Sequence, residues 1–412
     1  MIRITVAITL ALLFGCQKEN PAFCAAHPGE QGCANGDGGS DAPLQCDPQV
    51  ASSCPAKQLC SPDHVCVAAC FGSGPFEICL TALPAMDTVM LNGSLNTGTD
   101  GRCATPVDWP AKDPDPDTCV IAGTTVTVDN DLSVVGSKPL VVLARDTLTV
   151  AKKIDAASHV KGTLGPGATD VPAGTCPAGT APQDEVNGNN LGGGGAGGSL
   201  RDLGGVGGTA DSGGSITPGG APGAKVAADP TDLRAGCQGQ TGGAGGAQGG
   251  FLGTGGGAVF LLAGQTLAIH ELVNVSGAAG EGGHAGGGGC GGGGGGGSGG
   301  MLVLFAPAID DMGAKLVANG GGGGSGCNSG ASGNDGKDPD PMMVTMQAPG
   351  GMAPGGGGGP GGTGAAGATL AGDPGIAGGG NHSGGGGGGA AGYIQSNKTL
   401  TKAVASPQVT VK

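Results

Sequence analysis

Aromatic side chains are nearly missing from this chain: 412 residues hold one Trp, one Tyr and seven Phe. A compact core built on rings is therefore excluded over most of the length, and so are the flat stacking faces that sugar-binding clefts use. Positive charge is scarce as well. Lys and Arg number 18 against 32 Asp and Glu, for a formal net charge of −14. Nucleic acid and anionic lipid surfaces both need a basic face, so they are disfavoured as partners. Long apolar runs are lacking too, since no segment reaches the ~20 residues of a transmembrane helix. The GxxxxGKS/T, HExxH and CxxC signatures do not occur, and no cofactor is implied. Residues 204–208 can be forced into a dinucleotide pattern, but no strand precedes them and no helix follows.

What the chain has instead is glycine: 97 residues, 79 of them between Gly188 and Gly392. Glycine loses the most backbone entropy on folding and brings no side chain to a core. Order in that half must come from backbone hydrogen bonds and close backbone approach, or be absent. Stretches such as 286–300 and 320–324 read as long excursions. Two states stay open for them: disorder, or packed polyglycine-II-like strands with three residues per turn. Collagen is excluded, because the strict every-third glycine and the high proline content are missing.

Short β-branched runs at 88–92, 124–128 and 132–135 read as strands,. Three further segments repeat one pattern: 140–150 continuing to 156, 258–269 continuing to 277, and 301–309 continuing to 320,. Each is an apolar strand, a tight turn, a short alternating strand and a third strand ending in a small polar residue. Leu143, Leu262 and Phe305 correspond, as do Ala144, Ala263 and Ala306. The expected fold class is all-β, with the rungs of a parallel β-helix or solenoid carrying long Gly-rich excursions. A small disulfide-rich module stands at the N-terminal side.

Fifteen cysteines point to disulfides if the chain is exported, as its N-terminal segment leads one to expect,. Cys46, Cys54, Cys60, Cys66, Cys70 and Cys79 crowd into one short stretch and read as a disulfide knot. A zinc site using His64 is the rival reading, but the intervening gaps of seven, five, five, three and eight residues lack the usual repeated knuckle,. Cys24 and Cys33 read as a short loop, and Cys103 and Cys119 flank the acidic, Pro-rich loop 113–117. Cys176, Cys237, Cys290 and Cys327 lie in the glycine-rich half, with Cys176–Cys237 and Cys290–Cys327 as the expected pairs.

The N-terminus carries one positive charge at Arg3, an apolar run over 4–14 and then Leu13-Phe14-Gly15-Cys16. This is the layout of a secretory signal. Its ending resembles the lipobox of bacterial lipoproteins, in which the cysteine is lipidated and becomes the new N-terminus. That implies a membrane partner through three acyl chains on Cys16, and a position outside the cytoplasm, at the outer membrane or cell surface. With the Cys-rich module, the rung at 139–158 and the Gly-rich spacers, the chain resembles large glycine-rich lipoproteins of bacterial envelopes. The resemblance implies location and architecture but no activity.

The expected division is a signal peptide at 1–15, a flexible tether at 16–45, the Cys-rich module at 46–80, a solenoid start at 86–180, the Gly-rich solenoid at 181–395 and a tail at 396–412. The expected function is structural or adhesive, without catalysis, toward extracellular polysaccharide or another envelope protein. A binding module in the Cys-rich region is one alternative. The other is a polysaccharide lyase or hydrolase, which needs paired carboxylates. Asp146, Asp155, Glu271, Asp310, Asp311, Arg145 and Lys153 lie on or beside rungs, with no recurring pair, while His159 and His270 read as isolated edge residues. Asp335, Asp338 and Asp340 are weak calcium candidates, and they lack an EF-hand spacing.

Overall fold

Aliphatic and β-branched residues crowd the segments that become strands, and no α-helix forms among the described residues. The computed structural model describes residues 46–48, 53–84, 86–103, 105–112, 114–168, 176–186, 188, 190–226, 230–328 and 330–412. The expected signal peptide, the tether, Cys16, Cys24, Cys33 and Asp113 lie outside the described residues. Two compact units are present. The described part of the first is residues 46–48, 53–56 and 60–67, closed by disulfides Cys46–Cys60 and Cys54–Cys66. Cys70 and Cys79, bonded to each other, belong to the second unit. The six cysteines expected as one module are thus divided. Cys70 pairs across a short antiparallel ladder with Cys79, and that ladder continues to Val107–Asp108.

The second unit is organised by a 13-stranded sheet. Its strands are β1 (Thr88–Asn96), β2 (Cys119–Val135), β3 (Leu140–Val150), β4 (Ile154–Asp155), β5 (Ala258–Ala263), β6 (Thr266–Ile269), β7 (Leu272–Asn274), β8 (Met301–Phe305), β9 (Ala308–Asp310), β10 (Lys315–Val317), β11 (Tyr393–Ser396), β12 (Val404–Ser406) and β13 (Thr410–Val411). Every pairing is parallel, and the sheet curls as successive passes turn twice. Equivalent residues stack in three ladders. Cys119, Leu140, Val259, Leu302 and Ile394 form one. Val126, Leu148, Leu267 and Ile309 form the second. Leu132, Ile154, Val273, Leu316 and Ala405 form the third. Their side chains fill one continuous core. The register also aligns Leu143 with Leu262 and Phe305.

The first column is apolar on both faces, which is why β5 reads as an unbroken AVFLLA run rather than an alternating one,. Its outer face, with Val141, Phe260 and Val303, is covered by Phe71, Phe76, Ile78 and Trp109. Phe76 meets Phe260 edge to face, with ring centroids 5.9 Å apart,. Residues 396–412, expected as a tail, supply β12 and β13. These strands are too short and too polar to stand out in the sequence, and they are held by pairing to β10 and β11.

The glycine-rich segments are packed. Residues 291–300 donate backbone hydrogen bonds with a period of three. Gly291, Gly294, Gly297 and Gly300 bond to carbonyls of His284, Glu281, Ala278 and Val275. Gly292, Gly295 and Ser298 bond to Gly243, Gln240 and Cys237, while Gly293, Gly296 and Gly299 bond to Gly384, Gly387 and Ala390. All ten bonds span 2.8–3.0 Å. The carbonyls of the same strand accept from three more segments, 192–198, 250–256 and 321–327. This strand therefore has six neighbours and the three-residue turn of a polyproline-II-type chain. Segment 383–392 repeats the arrangement, donating to 192–198, 318–327 and 370–376.

Collagen needs glycine only at every third residue because one face of each chain is enclosed. Here all three faces of an inner strand are enclosed, so nearly every position is bare. Ser298 is the exception in 291–300, fully buried with its hydroxyl accepting the Cys237 N–H and donating to the Gly299 carbonyl. A Cβ on Gly294, Gly295 or Gly296 would come within 2.1, 2.0 and 2.1 Å of the carbonyl oxygens of Phe251, Ala196 and Gly321. Outer strands have a free face and carry side chains there at three-residue steps. Leu203 and Val206 on one strand, and Phe251 on another, are each more than two-fifths exposed. Disulfides Cys290–Cys327 and Cys176–Cys237 close loops within this region, and Cys103–Cys119 closes the acidic loop before β2.

Candidate functional site

The densest charged cluster lies where the third ladder meets the glycine strands. Asp155, on β4, is flanked in its ladder by Ser133 and Asn274, and Asn274 donates to it at 3.3 Å. Lys153 lies 3.7 Å from the same carboxylate. His159, four residues on, sits between two acids: Nε2 is 3.7 Å from Asp155 and Nδ1 is 3.4 Å from Asp338. Hydrogen bonding to Asp155 first, then to Asp338, pushes the imidazole pKa up to about 10 against the opposing effect of burial,. Burial works to raise the Asp155 carboxyl, but His159 and Lys153 outweigh it and hold Asp155 below its ordinary value. Beside this pair, Lys161 contacts Asp335 at 2.6 Å and Glu281 at 3.7 Å.

His159 is therefore not the isolated edge residue the sequence suggested. Asp338, far along the chain, reaches it because residues 333–338 run beside 275–284, with Gly333 and Gly336 donating to Gly283 and Gly280. His270 is not isolated either, since its Nε2 lies 3.2 Å from Asp310. This contact, first among its causes, lowers the pKa of the exposed Asp310. The one sequence signal for the His159 cluster was the Asp155–His159 spacing of four; Asp338 stood out only as a calcium candidate, with nothing local linking it to His159.

The calcium candidates are already engaged. Asp338 accepts N–H bonds from Val160 and Ala279, and Asp335 accepts one from Gly282. Asp340 accepts from Met342 at 2.9 Å. In the acidic loop, Asp115 accepts the Trp109 N–H at 2.9 Å and Asp117 pairs with Lys138 at 2.8 Å.

Glu271 apart, the other carboxylates weighed for catalysis are each held locally. Asp146 accepts from Gln265 at 3.2 Å. Burial works to raise Asp311, but backbone N–H bonds from Lys402 and Ala403 (2.8 and 2.9 Å) win and hold it low. Glu271 contributes its backbone carbonyl to Lys315, and Arg145 buries its Nε without a hydrogen-bond partner. Such a set can brace loops against the sheet. It brings no two carboxylates together about one reacting atom.

In the first unit the sulfurs of Cys46, Cys54 and Cys60 lie within 4.8 Å of one another. All three are in disulfides, and a disulfide sulfur is not the thiolate that zinc requires,. His64 gives its Nδ1 hydrogen to the Cys46 carbonyl at 3.0 Å.

One feature of the second unit escaped the sequence. A cavity of about 180 Å³ opens between Pro75, Phe76, Val303, Phe305 and Ser396. Gln395, 2% exposed, lines it, and both of its amide atoms lack a hydrogen-bond partner. The space is large enough for a small apolar group, beside an amide whose nitrogen and oxygen are both unused,. Comparison with protein-family models, with curated proteins and with solved structures finds no match for this chain.

Proposed function

We propose that the chain is a non-catalytic structural or adhesive protein of the bacterial cell envelope, fixed to a membrane by lipid on Cys16. Its body is a parallel β-solenoid whose passes are completed by glycine strands. The observation that carries this reading is the bundle around 291–300 and 383–392, where backbone fills most of the interior and the buried hydroxyls of Ser298 and Ser383 are spent on backbone hydrogen bonds. A scaffold of this kind suits a spacer or display surface, since its glycine strands are held by backbone bonds to neighbours on every side,. The Leu13-Phe14-Gly15-Cys16 sequence supports the anchor, and the net charge of −14 suits a surface that does not adhere to nucleic acid,. Local pairing of Asp146, Asp155, Asp310 and Asp311 weighs against a polysaccharide lyase or hydrolase.

The test is mass spectrometry of the mature N-terminus together with fractionation of Cys16→Ser. The expected result is an acylated Cys16 in the wild type and release of the variant from membranes. An unmodified N-terminus on membrane-free protein refutes the anchor. Turnover of polyuronides by purified protein, abolished by Asp155→Asn, refutes the non-catalytic reading.

A further inference from the structure

Methionine is a residue that folded chains mostly bury, yet among the described methionines only Met301 is buried. The exposed ones concentrate on one turn. Met342 is 70% exposed, Met343 53% and Met346 57%. All three line a single depression of about 400 Å³, which Lys315 and Val404 also line. The turn is anchored from within. Met343 N–H bonds to the Asp340 carbonyl at 3.0 Å, and Met346 N–H to the Met343 carbonyl at 2.8 Å. Between them Val344 is buried against Leu272 and Val317, and its carbonyl accepts the Asn319 amide at 2.8 Å. Asn319 is fully buried, so the turn rests on the core while its thioethers face outward.

Thioether sulfur is neutral, polarisable and a poor ligand for hard cations, and it selects soft ions such as Cu(I). The described cysteines are all in disulfides, so none of them offers a thiolate that competes for such an ion. No carboxylate lines the depression, and Asp340, two residues before Met342, accepts the Met342 N–H. The Lys315 ammonium opposes a divalent ion more than a monovalent one. From the three thioethers on one anchored turn, we propose that Met342, Met343 and Met346 form a three-sulfur site for a soft monovalent cation, Cu(I) or Ag(I). The site is open to solvent, so ion exchange is fast. It is independent of the proposed anchoring and structural role.

The experiment is a calorimetric titration of the full, disulfide-intact chain with Ag(I) in chloride-free buffer. In parallel, methionine methyl resonances are followed by NMR on ¹³C-methyl-labelled protein. One equivalent is expected to saturate a site while three methyl signals shift together. In Met342→Leu/Met343→Leu/Met346→Leu, which keeps apolar volume, that equivalent weakens at least ~10-fold. Met86→Leu/Met90→Leu retains it. Melting and far-UV circular dichroism show that both variants are folded. No saturable equivalent in the wild type, equal binding by the triple variant, or shifts spread evenly over all methionines each overturn the site.

Discussion

Alanine placed at three consecutive inner glycines tests the six-neighbour packing directly. At Gly294, Gly295 and Gly296 a new Cβ falls 2.0–2.1 Å from a carbonyl oxygen, and each of the three oxygens belongs to a different neighbouring strand. Ordinary carbon–oxygen contacts lie at ~3.3 Å, so each substitution must open the bundle by about 1.2 Å on its own side. Overpacking of this kind costs ~1–3 kcal/mol. Displacing one buried backbone hydrogen bond adds ~1–3 kcal/mol. The smaller conformational freedom of alanine in the unfolded chain returns only ~0.4–1 kcal/mol. Each single variant is therefore expected to lose roughly 3–4 kcal/mol, read as a lower denaturant midpoint by circular dichroism. The control is Gly379→Ala, where a Cβ meets nothing within 4 Å, with an expected change inside ~0.5 kcal/mol. Three similar losses fit a strand enclosed on every side. A loss at only one of the three positions fits a collagen-like chain with one buried face, and no loss at any fits an open loop. Either outcome refutes the packing.

Stability carries a pH signature from His159. Its pKa is raised from 6.5 to about 10, so its contribution is complete below pH 6.5 and is lost as pH rises from 6.5 to 10. His159→Gln is expected to flatten that decline in a series of melts, and an unchanged slope removes the Asp155–His159–Asp338 bridge as its cause. Replacing Cys290 and Cys327 by Ser frees a loop with a sequence separation of 37. Loop entropy puts the loss near ~4 kcal/mol, checked by equilibrium unfolding without reductant. Leu267→Ala, fully buried in the second ladder, is expected to cost ~2–5 kcal/mol. A loss under ~1 kcal/mol would place Leu267 outside the core.

Much of the sheet was legible in the sequence. Alternation in 266–269 and unbroken apolar runs in 258–263 and 301–305 marked strands, and matched side chains at 143, 262 and 305 aligned the passes. The side chains that encode a strand also encode its register, because a slip of one residue exposes its apolar set. The polar cluster was less legible. Asp155 and His159 are near neighbours in sequence, but Asp338 reaches them only through glycine-strand pairing. Residues 404–406 were missed as a strand because Val404 is exposed, and pairing to β10 rather than local pattern holds them.

By itself the sequence determined that this chain is all-β, poor in rings, rich in bridges and dependent on backbone for half its order. It could not say which glycine segment lies beside which, because a glycine strand has no side chain to distinguish its faces or its phase. Only the tertiary structure decided that. Segments 291–300 and 383–392 run straight into β8 and β11, so the sheet's register passes into the glycine strands. Backbone hydrogen bonds at every third residue then fix their six neighbours.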